Sequence, residues 1–228
     1  LGVFKSIFIS LIYKNNIYYT INKMSEESQA RKCMVLGNGE TLKDFDFKKI
    51  DTETMGICLG FKEWEKMDWY PDYYVCVQYD ELKENCKDIL KMIEDDKCKS
   101  GYLLSDSILE FCPELKENKK VLFLEDFKRQ RGNPFVYLVD WCSGSCAVMF
   151  AVILGFNDID IMGMDLKPED DDKHLITWEH IVFILTGYTR LNNVMMNVNV
   201  WTSDPDGSGG LTKFFSKYDL KNYFVVDI

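Results

Sequence analysis

The sequence predicts an α/β protein on a doubly wound, mostly parallel, Rossmann-like sheet. Three observations lead there. Short apolar runs alternate along the chain with stretches of helical periodicity. The runs are apolar at nearly every position, as strands covered on both faces are. One run ends in a glycine turn, Gly37-Asn38-Gly39, and a second glycine turn, around Cys142, Ser143 and Gly144, opens a later helix; open parallel sheets make room for a ligand at such turns, and these two are expected to converge on one pocket.

The first unit is Lys32 to Asp46, KCMVLGNGETLKDFD. Cys33 to Leu36 reads as a strand running into Gly37-Asn38-Gly39, with a polar turn and a short helical stretch after it. Glycines let a ligand reach the backbone, and a helix start offers unpaired N–H groups. The dinucleotide fingerprint would want a further glycine at Leu42, and the phosphate loop a Gly-Lys-Ser/Thr that is not there.

Leu42, Phe45, Phe47 and Ile50 then supply a short apolar stripe, and Met55 to Leu59 reads as the second strand, ended by Gly60. Phe61 to Trp64 begins a helical turn. Tyr73 to Val77 is a third strand, with Gln78, Tyr79 and Asp80 at its carboxyl end. Glu81 to Ile93 is helical, its apolar face carried by Leu82, Cys86, Ile89, Leu90 and Ile93. Gly101 to Leu104 and Val121 to Leu124 are further short strands, and Lys128 to Pro134 is a loop.

Ser143 to Gly155, SGSCAVMFAVILG, is apolar on nearly every side and is therefore expected to be a buried helix. Ser143 or Ser145 can cap it, and Gly155 can end it. Asp158 to Met162 follows as a strand and closes on Gly163-Met164-Asp165-Leu166. Pro168 to Lys173 is acidic and without periodicity, which suggests a lid over about 166–180. Thr177 to Leu191 is expected to be a helix and Val198 to Trp201 the last strand. Ser203 to Gly210 reads as a flexible turn.

The 228 residues suit one domain, 24–228, with its folded part starting near Arg31. Residues 1–23 carry an apolar stretch far short of the ~20 residues of a membrane span. They read as an amphipathic helix docked on the domain or as sequence outside the working protein, ahead of a weak membrane-surface anchor. The net charge of −10 argues against a nucleic-acid duplex as partner. Four of the eight cysteines, Cys33, Cys58, Cys76 and Cys146, sit inside apolar runs and there is no CxxC pair, so reduced thiols and a cytoplasmic setting are expected. Cys142 and Cys146 have no neighbouring Cys/His pair to complete a zinc site.

Four groups fall at the carboxyl ends of strands or the starts of helices: Gly37-Asn38-Gly39-Glu40-Thr41, Gln78 with Asp80, Ser143-Gly144-Ser145, and Gly163 with Asp165. Sheet geometry gathers such ends at one edge. Asn38, Thr41 and Ser143 can hydrogen-bond a base, ribose or phosphate. Asp165 can accept from ribose hydroxyls or hold a metal.

These stretches, GNGETL at Gly37 to Leu42 and CSGSCAVMFAVILGFNDIDIMGMD at Cys142 to Asp165, resemble the bacterial sialyltransferases of glycosyltransferase family 42. They are also similar to the related DUF115 group, which includes archaeal 6-hydroxymethylpterin diphosphokinases. The resemblance runs over roughly Cys33 to Pro205 and implies a GT-A-like variant of the fold. It also implies a nucleotide-sugar donor such as CMP-sialic acid, a glycan or other hydroxyl acceptor, and no required cofactor. Asn38 and Thr41 would meet the ribose and phosphate region, Ser143 and Gly144 the donor carboxylate and phosphate, and Asp165 the nucleotide. The family's general base is a histidine placed as His180 is here, ahead of a helix, a strand and a proline, Pro205. Histidine titrates near neutral pH, as a base for a hydroxyl must.

The sequence departs from that family at several positions. No tyrosine follows the Gly-x-Asp motif before Tyr188, and Lys167 stands near the first expected one. Asp140 or Trp141 replaces an arginine, and Leu59 an asparagine. Lys167 can neutralise a departing phosphate as a point charge, and a different activated sugar is compatible with these changes. The alternatives are a diphosphokinase needing magnesium, held by acidic residues, or a non-catalytic nucleotide- or glycan-binding relative. Self-association into a homo-oligomer is left open.

Overall fold

The structure, a computed structural model, describes residues 31–39, 42–43, 45–128, 142–164, 197–202 and 223–227. The expected tail 1–23, the lid, the Thr177 to Leu191 helix and the Ser203 to Gly210 turn lie outside them.

Among the described residues eight strands form one sheet in the order β5-β4-β3-β2-β1-β6-β7-β8, every neighbouring pair parallel. They are β1 Lys32–Leu36, β2 Glu53–Ile57, β3 Tyr73–Cys76, β4 Gly101–Leu104, β5 Val121–Phe123, β6 Asp158–Met162, β7 Asn197–Thr202 and β8 Tyr223–Asp227. The helices are α1 Phe61–Lys66, α2 Tyr79–Glu94, α3 Leu124–Lys128 and α4 Ser143–Ile153. The chain steps outward from β1 to β5, then returns to lay β6 on the other side of β1. The β1–β6 seam is thus the point where the strand order reverses, and ligands of open α/β sheets bind beyond the carboxyl ends of such a seam.

Alternation along β1 sends side chains to two faces. Cys33 and Val35 join the large core with Met55, Tyr74 and the α4 residues, while Met34 and Leu36 join Phe47 and Met162. The second face is closed by the Phe45 to Ile50 stripe, whose Phe47 ring lies 4.8 Å from that of Trp69. Burial on both sides is why these strands read as continuous apolar runs. Helix α4 packs against β1, β2 and β3, with every residue from Ser143 to Val152 buried. Its end is as the sequence suggests: Gly155 takes φ +87°.

Three readings are revised. α2 starts at Tyr79, because the Gln78 carbonyl already accepts from Leu82 N at 3.0 Å; Tyr79 and Asp80 therefore belong to its first turn. Cys142, not a serine, is the N-cap of α4. β8 follows what the sequence read as the last strand; its YFVVD run has the aromatic and β-branched composition of a strand. No helix among the described residues is long and apolar enough to cross a membrane.

The amino edge of the seam is held by charge. Lys32 Nζ lies 2.8 Å from Asp160 Oδ2, and the Asp160 side chain is 1% exposed. The hydrogen bond to this carboxylate raises the Lys32 pKa, with burial opposing it. A raised lysine pKa adds stability that is whole below the unfolded value of about 10.4 and is lost as pH rises through the folded value. At neutral pH the stability that Lys32 adds is therefore whole. Lys32→Met is expected to cost about 2–3 kcal/mol, below the full ~3–5 of a buried pair because the lysine is half exposed. In thermal melts that is roughly 4–12 °C. Adding Asp160→Val is expected to recover most of it; a single variant that melts like the parent would refute the role of the pair.

Candidate functional site

The carboxyl ends of β1 and β6 are fastened backbone to backbone. Gly37 N donates to Met162 O at 2.7 Å and Gly39 N to Gly163 O at 2.8 Å. A Cβ on Gly37 would lie 2.0 Å from Gly163 O, so no side chain fits there. Gly163 has φ +72°, a conformation natural to glycine, and Leu42 packs where its Cβ would be. The turn at Gly37 thus meets the turn at Gly163 directly, though they are well over a hundred residues apart; the glycine turn at Ser143 and Gly144, expected to converge with it, lies buried at the start of α4 and does not line the adjoining cleft.

On the β2 side of the Gly37 turn lies a cleft of about 720 Å³, walled by Asn38, Lys43, Phe45, Gly60, Lys62 and Trp64 among others; Gly163 does not line it. Its size is that of a small-molecule site. Asn38 is exposed at its rim, and a Cβ on Gly60 would come 2.9 Å from Asn38 Oδ1. Gly60 follows a bend at Cys58, whose φ of +48° is left-handed; the buried Tyr74 hydroxyl holds that bend by donating to Cys58 O at 2.9 Å. The walls combine the partly exposed Phe45 with Lys43, Lys62 and Glu63, so an aromatic face and two ammonium groups beside one carboxylate border the cleft, a set that can stack a ring and meet a phosphate.

The other predicted residues separate into three groups. Gly37, Asn38, Gly39 and Gly163 come together at the seam. Ser143, Gly144 and Ser145 are buried at the start of α4. Ser143 Oγ accepts from Val77 N at 2.9 Å and contacts Gln78 Oε1, while Ser145 Oγ donates to Cys142 O at 2.8 Å. These hydroxyls hold the end of β3 and the first turn of α4. Gln78 is half-buried and also accepts from Cys58 Sγ at 3.3 Å, and Asp80 is exposed in the first turn of α2. Thr41, Asp165, Lys167 and His180 lie outside the described residues.

Among the described residues after Gly39, Leu42 N donates to Gly39 O at 3.1 Å and Phe47–Lys49 is a 3₁₀ turn, while Glu40, Thr41 and Asp44 lie outside them. The ligand-facing groups of the Gly37 turn are Asn38 and the glycine backbone. Sequence reasoning missed Lys43, Lys62 and Trp64 as cleft walls; the Leu59-Gly60-Phe61 break after the second strand was the signal for the last two.

All eight cysteines are free thiols. Burial pushes Cys98 up to about 12 and Cys112 up to about 11. The Cys58 thiol, in hydrogen-bond contact with Cys76 and buried, is held well above the ordinary thiol range.

No protein-family model matches this sequence, and no curated protein does. Solved structures do resemble it. An asparagine-to-alanine variant of the sialyltransferase CST-II in complex with CMP matches at 11% identity and a TM-score of 0.50, covering 81% of this chain and 85% of that one. CST-II in complex with a trisaccharide acceptor and CMP matches at 13% identity and a TM-score of 0.49, covering 81% and 84%. CstII from Campylobacter jejuni with the substrate analogue CMP-3FNeuAc matches at 12% identity and a TM-score of 0.45, covering 75% and 79%. At such identities the likeness is one of fold.

Proposed function

We propose that this chain is a glycosyltransferase that takes a sugar from a nucleotide donor to a hydroxyl acceptor. The observation that carries the reading is the cleft itself. It opens beside the Gly37-Asn38-Gly39 turn, between the end of β1 and the segment that follows β2, with Asn38 at its rim and Lys43 and Lys62 in its walls. The resemblance of the motifs to family 42 supports the reaction class, and the solved sialyltransferases of similar fold were crystallised with CMP, a CMP-sugar analogue and a trisaccharide acceptor.

In this reading Asn38 bonds the nucleotide and the lysines screen its phosphate charge. His180 takes the proton of the acceptor hydroxyl as that oxygen attacks the anomeric carbon; the bond from that carbon to the nucleotide phosphate breaks. Lys167 neutralises the departing phosphate. The segment around 166–180 excludes water from the donor. Transfer by this route needs no metal.

Thermal melts with CMP, UDP, GDP and ATP test the binding half. One of the four is expected to raise the melting temperature. Asn38→Ala is expected to weaken that nucleotide about 10-fold, the ~1.4 kcal/mol of a single hydrogen bond, while the free variant melts within about 1 °C of the parent. If none of the four shifts the melt, the reading fails.

A further inference from the structure

Beside the cleft, the carboxyl ends of β2 and β3 bring together a second set of chemical groups. Cys58 directly follows β2, Cys76 ends β3 and Glu81 sits in the first turn of α2. Ile57 pairs with Val75 in register, and the residues that follow them, Cys58 and Cys76, have their sulfurs close together. The two sulfurs and one carboxylate oxygen all lie within 4.8 Å of one another. Cys58 is 3% exposed and Cys76 1%, while Glu81 is half-buried and opens the group to solvent.

We propose that Cys58, Cys76 and Glu81 bind one zinc ion, with the Gln78 amide oxygen or a water as the fourth ligand. Zinc–sulfur bonds of about 2.3 Å and zinc–oxygen bonds of about 2.0–2.2 Å set the edge of a tetrahedral S–Zn–O unit at roughly 3.6 Å. The separations here bracket that length: Cys58 Sγ lies 3.3 Å from Gln78 Oε1, and Cys76 Sγ lies 3.8 Å from Glu81 Oε2. Two sulfurs with one carboxylate select a borderline metal over magnesium or calcium, which want oxygen alone. Binding is balanced by release of both thiol protons to solvent, leaving zinc with two thiolates and a carboxylate.

Each ligand comes from a different element, so the ion would tie β2, β3 and α2 together at the edge where Leu59 and Gly60 continue into the cleft wall. It fixes the left-handed bend at Cys58 and takes no part in sugar transfer. The inference stands on these side chains and is independent of the function proposed above.

The test uses the full chain, reduced and stripped of metal with a chelator. Titration with cobalt(II) is expected to give a sulfur-to-cobalt charge-transfer band and the visible bands of a tetrahedral site, complete at one equivalent. Zinc is expected to abolish them and to raise the melting temperature. Cys58→Ser and Cys76→Ser are each expected to weaken zinc by at least ~100-fold, beyond what loss of an outer-sphere partner costs. Glu81→Gln, which keeps both thiols and the size of a half-buried side chain, is expected to weaken it at least ~10-fold. Cys86→Ser, which alters a half-buried thiol outside the cluster, is expected to change neither band nor affinity. The proposal is overturned if the parent protein gives no thiolate–cobalt band, or if the band survives in either cysteine variant. A Cys58–Cys76 disulfide found by mass spectrometry in protein isolated without oxidant would overturn it equally.

Discussion

Gly37→Val is expected to yield no stably folded protein. Even the Cβ of Gly37→Ala would sit 2.0 Å from Gly163 O and 2.5 Å from Gly163 C, both backbone atoms of the adjoining turn. Flexible side chains can swing out of such a clash; a backbone already bonded through Gly37 N and Gly39 N cannot do so without giving up those bonds. Overpacking combined with two lost buried hydrogen bonds is expected to cost the alanine variant about 4 kcal/mol. That is roughly 8–16 °C in a thermal melt. Valine adds two methyl groups in the same space. Gly163→Ala is the milder change, since its Cβ would meet the Leu42 side chain at 2.6 Å and that side chain can move; the cost left is the left-handed backbone. The expected order is therefore Gly37→Val worst, then Gly37→Ala, then Gly163→Ala. A Gly37→Ala protein melting within 2 °C or so of the parent would mean that the two turns do not meet as described.

Under the proposed chemistry, His180→Ala is expected to lower sugar transfer by about 10²–10⁴-fold, the usual contribution of a positioned general base. Donor affinity, read by the melting shift with nucleotide, is expected to stay within about 2-fold, because the base acts on the acceptor. The pH profile gives a second readout. Transfer by the parent is expected to rise with pH as the histidine loses its proton and then level off, since the base works in its neutral form. The variant is expected to lose that rise. Transfer undiminished in His180→Ala would remove the histidine from the mechanism while leaving the nucleotide cleft untouched.

Much of this protein was readable in one dimension. The strand at Cys33 to Leu36, the fully buried helix from Ser143 and the glycine that ends it all follow from local patterning, because periodicity and turn chemistry act over a few residues. The charge of Lys32 and of Asp160 was visible too, but not their pairing. The start of α2 at Tyr79 was missed because Tyr, Asp and Glu after Gln78 look alike as loop or first turn, and β8 because its signal is five residues long.

Local patterning was enough to specify the kinds of element, their order and where glycine turns fall. Which of those turns touch was settled by packing in three dimensions. Strand order in the sheet placed β6 against β1, so that Gly163 and not Ser143 closes on Gly37. The same order laid β3 beside β2, which spent the Ser143 hydroxyl on Val77 N and set Cys58 next to Cys76. Such contacts join residues up to 126 positions apart, as Gly37 and Gly163 are. No pattern within a helical turn or a strand carries that information, because it resides in how the apolar faces of separate elements pack away from water.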